Sequence, residues 1–175
     1  MRRSELEHLI RASGEIAGDD EIVIIGSQAI LGQFPDAPLS LLASMEADIY
    51  PKNKPEHADM VDGAIGEGSS FHEMHGYYAQ GVGEETAVLP DGWQNRLIVV
   101  RNENTNGVTG LCLEVHDLAI SKLVAQRPKD SEFVVHLARH EMIAKDTMLD
   151  RLGITRLPDS IRSSLHARIG HLFAK

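Results

Sequence analysis

The sequence predicts a mixed α/β (α+β) protein: a small mixed β-sheet flanked by helices, with a helical C-terminal part. Three observations lead there. Short β-branched runs such as "EIVIIGS" (21–27) and "RLIVVRN" (96–102) alternate with helix-period segments in the first two thirds of the chain. From Asp117 onward helical periodicity dominates. The 42% hydrophobic content of 175 residues is enough for an ordinary core. The length suits one compact domain, divided into an α/β core over 1–115 and a helical part over 116–175 packed on it.

Taken in order, "SELEHLIRASGEIAG" (4–18) reads as a helix, with Ser4 and Glu7 as a capping box and Leu6, Leu9, Ile10 and Ile16 on one face. "EIVIIGS" follows as a buried strand ended by Gly26. "SQAILGQF" (27–34) is a helix broken by "FPDAP", and "LSLLASM" (39–45) a helical turn before the strand "EADIY" (46–50). "PEHADMVDGAIG" (55–66) has Pro at a first helical position. "GEGSSFHEMHG" (66–76) has no periodicity and is expected to be a loop. "YYAQGV", "TAVL" and "RLIVVRN" are strands, and "NENTNG" (102–107) joins the last of them to "VTGLCLEV" (108–115) as a hairpin. Helices are expected at about 117–126, 130–143, 145–152 and 158–172, the last opened by Pro158.

Composition excludes several classes. No apolar run reaches the ~18 residues of a membrane span. The opening "MRRSELEHLI" has arginines but no apolar signal core. The single Cys112 rules out an internal disulfide and suits a reducing cytoplasm, so a cytoplasmic location without membrane contact is expected. The net charge of −9 argues against indiscriminate nucleic-acid binding. That charge is uneven: residues 1–119 hold 20 acids and 7 bases, whereas 120–175 hold 6 acids and 10 bases. Such a chain can hold cations at its acidic front and phosphates at its basic tail; an ordinary solvated helix surface is the plainer account of the tail.

Three segments carry chemistry. In "IVIIGSQAI" (22–30) an apolar strand meets Gly26-Ser27 and then a helix; a tight glycine turn there exposes backbone N–H groups to phosphate oxygens, or is a plain strand-to-helix turn. In "EADIY" the alternation of a strand sends Glu46 and Asp48 to the same face, where they repel unless a hard divalent cation takes their oxygens. The alternative is an edge strand with its polar side outward. In "HDLAISKLVAQRPKD" (116–130), Lys122 falls in angle between Leu118 and Ala119, so its ammonium emerges among apolar neighbours. It either snorkels to water or pairs with a phosphate or with the Glu46–Asp48 carboxylate pair.

Together, the apolar-Gly-Ser turn and the acid–apolar–acid–apolar strand resemble the signature of the nucleotidyltransferase superfamily, the polymerase β-like fold. The tail "DLAISKLVAQRPKDSEFV" (117–134) is further similar to minimal bacterial nucleotidyltransferase-like proteins, including toxins of the abortive-infection type IV toxin–antitoxin group. The resemblance covers about 22–50 and 116–135. It implies a nucleotidyltransferase-type sheet and Mg²⁺-dependent transfer of a nucleotide from an NTP to a hydroxyl on tRNA or a protein. By the same likeness the setting is a toxin–antitoxin or phage-defence pair, with an antitoxin protein as partner. Gly26 and Ser27 match the phosphate turn, and Glu46 and Asp48 the metal pair. Lys122 matches the nucleotide-contacting lysine, and Arg127, Lys129 and Asp130 the charged motif that completes the site. A catalytically degenerate module that keeps the fold to bind nucleotide or protein is the alternative.

The sequence departs from that pattern in four places. Glu46 stands where the superfamily usually has Asp, and the interval from Ser27 to Glu46 is longer. The separation from Lys122 to Asp130 is short. A third catalytic acid has no clear counterpart; Glu114 is the residue assigned to it, and Asp117 reads as a helix N-cap. Other motifs carry less. His72 and His75 in "HEMH" are three apart, not the four that one-face zinc binding needs, and His136 and His140 have that spacing without a third ligand. "GAIGEGSS" (63–70) lacks the strand and lysine of a P-loop. Cys112 reads as a small buried residue. "FHEMHGYY" (71–78) gathers aromatics and histidines that either stack a base at the acceptor site or serve the fold.

Overall fold

The structure is a computed structural model and describes residues 1–174. The chain divides into two compact units: Met1–Thr86 with Leu97–Glu114, and Ala87–Arg96 with the chain from Val115 onward.

In the first unit, helix α1 (Arg3–Ala17) buries Leu6, Leu9 and Ile10 completely, the face that the helical spacing predicts. The expected capping box at Ser4 and Glu7 lies two residues too far along. Arg2 is the N-cap, its N–H donating to Glu5 Oε2 at 2.7 Å. Glu7 is instead drawn into the interior by Arg3, Asn102 and Asn104, whose side chains donate to it at 2.7–2.8 Å. Strand β1 (Glu21–Ile24) follows. A 3₁₀ turn (Ser27–Ala29) then runs into the short α2 (Ile30–Gln33), so the helix expected over 27–34 is two tighter pieces. Strand β2 (Glu46–Pro51), helix α3 (Ala58–Ile65), helix α4 (Ser70–His75) and strand β3 (Tyr78–Gly81) come next. Residues 70–75, expected in a loop, are helical because Ser69 caps them: its Oγ accepts the His72 N–H at 3.1 Å. "TAVL" forms no strand. It leaves a 3₁₀ turn at Glu84–Thr86 for irregular chain, with Val88 exposed and Pro90 lacking a ladder donor. Strands β4 (Ile98–Val100) and β5 (Thr109–Cys112) make the expected hairpin.

The five strands form one mixed sheet in the order β3-β2-β1-β5-β4. β1 is central, antiparallel to β2 and parallel to β5, which is why its apolar run is continuous: Ile22, Val23 and Ile24 are buried on both faces. β2 alternates over its first four residues, and beyond them Tyr50 and Pro51 are buried. Ala47 and Ile49 go into the core while Glu46 and Asp48 emerge on the other side.

The second unit contains α5 (Val115–Ala125), α6 (Pro128–Arg139), α7 (Lys145–Gly153) and α8 (Asp159–Leu172). Leu118, Ile120, Val134, Leu137, Met148, Leu165 and Ile169 close its interior. Asp117 is not a cap. α5 begins two residues earlier, which turns Asp117 inward with no exposure. There Arg96 donates through Nε and Nη2 at 2.8 and 3.0 Å, and Arg151 Nε lies 3.1 Å away.

Candidate functional site

Gly26, Ser27, Glu46 and Asp48 come together at one end of the sheet. β2 runs antiparallel to β1, so the start of β2 lies beside the end of β1, and the Ile25 N–H extends their ladder to the Asp48 carbonyl at 3.0 Å. Gly26 follows at once, pressed against the Asp48 side chain: a Cβ there would collide with the carboxylate. Its backbone is extended (φ −84°, ψ −172°), a conformation open to any residue. Glycine is needed for room, not for a left-handed turn. Gly26→Ala is therefore expected to displace the Asp48 carboxylate and to cost about 1–3 kcal/mol, read as a lower urea midpoint at unchanged m-value. Ser27 opens the 3₁₀ turn, where the first N–H groups have no partner within the turn. Gln28 is fully buried. Its Nε2 lies 3.4 Å from Ser27 Oγ, and its Oε1 has no hydrogen-bond partner among the described residues.

β2 pairs in parallel with β3, setting Glu46 opposite Tyr78 and Asp48 opposite Gln80. Tyr78 Oη donates to Glu46 Oε2 at 3.0 Å. Burial, this hydrogen bond and the charges of Glu46, Glu67 and Asp48 push the Tyr78 phenol up to about 12, so it stays a donor at neutral pH. The His72 ring lies 4.5 Å from the Tyr78 ring, and His72 Nδ1 accepts the Gly68 N–H at 3.0 Å. His75 packs with Phe71, His8 and Tyr77, and His8 Nδ1 lies 2.8 Å from Tyr77 Oη. The aromatic run 71–78 thus splits in two: Tyr78 bonds Glu46 with His72 against its ring, while Phe71, His75 and Tyr77 cluster with His8. Sequence reasoning missed the Tyr78 contact. The alternation of β3 is visible in the residues, but its pairing with Glu46 needs the strand order.

The remaining predicted residues belong to the second unit, apart from Glu114, which follows β5 two residues after Cys112. Lys122 resolves its apolar setting by pairing: its Nζ is 3.0 Å from Asp130 Oδ1 and 5.8 Å from the Phe133 ring centre. Arg127, the N-cap of α6, donates through Nε to the other Asp130 oxygen at 2.5 Å. Lys129 is exposed on the first turn of α6. Burial alone would raise the Asp130 carboxyl, but the hydrogen bonds and charges of Arg127 and Lys122 outweigh it and hold it below the ordinary carboxylate value. A depressed folded pKa stabilises above the unfolded value, ~4, and the stabilisation is lost as pH falls through the lower folded value. Urea unfolding between pH 5 and 2 should show this loss, and Asp130→Asn should flatten it.

Among the described residues no group of three or more His, Cys, Asp or Glu side chains is arranged to hold a metal. Glu46 and Asp48 therefore make too small a donor set for a self-contained cage. A pair of carboxylates suits Mg²⁺, which keeps several waters and is completed by substrate phosphates. No helix of the described residues is long and apolar enough to cross a membrane.

A family model described as "Nucleotidyltransferase of unknown function (DUF6036)" matches residues 4–156. No curated protein and no solved structure matches the chain significantly.

Proposed function

The chain belongs to the nucleotidyltransferases of unknown function DUF6036, and on that premise we propose that it moves a nucleotide from a nucleoside triphosphate to a hydroxyl acceptor, with Glu46 and Asp48 as the holders of Mg²⁺. The observation that carries this reading is the fit of the Asp48 carboxylate against Gly26, which ties an acid of the paired strand to the Gly-Ser turn. When bound, Mg²⁺ would neutralise charge on the triphosphate and on the departing pyrophosphate. Ser27 Oγ and the N–H groups opening the 3₁₀ turn would donate to phosphate oxygens. Lys122 and Arg127, both paired with Asp130, and Lys129 are assigned to the nucleotide's charge by the resemblance alone. The acceptor oxygen bonds to the α-phosphorus, the bond from that phosphorus to pyrophosphate breaks, and the hydroxyl proton leaves to a base, the role given to Glu114.

By its resemblance to abortive-infection type IV toxins, the acceptor is tRNA or a protein, and the biological setting a toxin–antitoxin or phage-defence pair in a bacterial cytoplasm. Incubation with Mg²⁺, each labelled NTP in turn and total tRNA or bacterial lysate protein tests this. Label should move to one acceptor class and stop moving in Glu46→Ala and Asp48→Ala. Failure of every NTP to bind by calorimetry in Mg²⁺ would overturn the reading.

A further inference from the structure

The first acid of the pair is a glutamate, one methylene longer than aspartate and with one more torsion to fix. A ligand with that freedom binds a metal weakly unless something orients it. Tyr78 is set to do so. The parallel register puts it directly opposite Glu46, and its hydroxyl donates to Oε2 at 3.0 Å. The Tyr78 ring is in turn packed against His72. The Ser69 hydroxyl bonds the Gly66 carbonyl at 2.7 Å and caps α4 through the His72 N–H. The Gly68 N–H donates to His72 Nδ1, which places the proton of the neutral ring on Nε2 and lays that ring against Tyr78. Each link from the turn at 66–69 to Glu46 is thus a named contact.

We propose that Tyr78 is a positioning residue for Glu46, clamping one carboxylate oxygen so that the other is presented to the divalent cation. This rests on the nucleotidyl-transfer reading above. Orientation by the phenol lets a glutamate serve where a shorter aspartate would need no clamp. His72 and the turn at 66–69 act behind it by fixing the ring.

The test uses Mn²⁺ as the probe in place of Mg²⁺, with free ion counted by electron paramagnetic resonance in the presence of a non-hydrolysable NTP analogue. Tyr78→Phe keeps the ring and removes only the hydroxyl. It should weaken Mn²⁺ binding roughly 10- to 100-fold, the range for losing such an outer partner, while the metal-free thermal midpoint moves little. Glu46→Asp withdraws the carboxylate from the phenol's reach, so adding Tyr78→Phe to Glu46→Asp should change Mn²⁺ affinity no further. A double-mutant cycle separates this coupling from a general loosening of the sheet. Equal losses from Tyr78→Phe in both backgrounds, or no loss in the natural one, would overturn the proposal and leave the nucleotidyl-transfer reading standing. Absence of Mn²⁺ binding to the natural protein with every NTP analogue would overturn both.

Discussion

Asp48→Ala is expected to lower nucleotidyl transfer on the order of a thousandfold, about 4 kcal/mol of lost transition-state stabilisation. Asp48 is closely confined. Its strand is tied to β1 through the Ile25 N–H, and its carboxylate occupies the space that Gly26 leaves open. The variant should also lose the rise in thermal midpoint that Mg²⁺ with an NTP gives the natural protein, because a ligand that binds only the folded state stabilises it by mass action. Single-turnover transfer and a thermal melt with and without Mg²⁺ check the two parts. Equal transfer rates in the variant and the natural protein would remove Asp48 from the chemistry.

Asp117→Ala should produce the largest loss of stability, about 3–5 kcal/mol. The carboxylate is wholly buried and takes ion pairs from Arg96 and Arg151, whose own side chains are only about one fifth exposed. Removing it leaves two guanidinium groups facing each other without their counter-charge. Desolvation makes this far worse than loss of a surface pair, for which the usual cost is ~0–1 kcal/mol. Trp93 makes the measurement direct. It is the only tryptophan in the sequence, it is buried, and it lies in the same unit as Asp117. Urea unfolding followed by its fluorescence should show a large fall in midpoint for Asp117→Ala and a smaller one for Asp117→Asn, which keeps the shape and an acceptor oxygen.

The sequence makes the fold legible wherever a local period decides it. β1 reads as a buried strand because three consecutive apolar residues need both faces covered, and β2 reads as half-buried because its acids alternate with Ala47 and Ile49. The Gly-Ser turn and the acidic pair were legible as adjacent for a different reason, their likeness to a known signature. What stayed hidden depends on partners distant in the chain. Glu7 reads as a capping residue until Asn102 and Asn104 arrive from some 95 positions away to bury it. Asp117 reads as a cap until Arg96 and Arg151 do the same. Tyr78 reads as a strand residue or a base-stacking aromatic, since nothing local says which of its neighbours carries the carboxylate. Charged side chains are where reading from local pattern failed most, because burial of a charge is decided by the counter-charge that meets it.

The segment Ala87–Arg96 has one more implication. It leaves the sheet-bearing unit after β3, belongs with the C-terminal helices, and returns to the sheet at β4. The backbone therefore passes between the two units three times. Cutting the chain at residue 115 would strand Arg96 on the wrong fragment, away from Asp117. The helical part is thus no detachable module: recombination could not exchange it as a contiguous cassette, and residues 87–96, synthesised before the sheet is complete, must wait for the helices to which they belong.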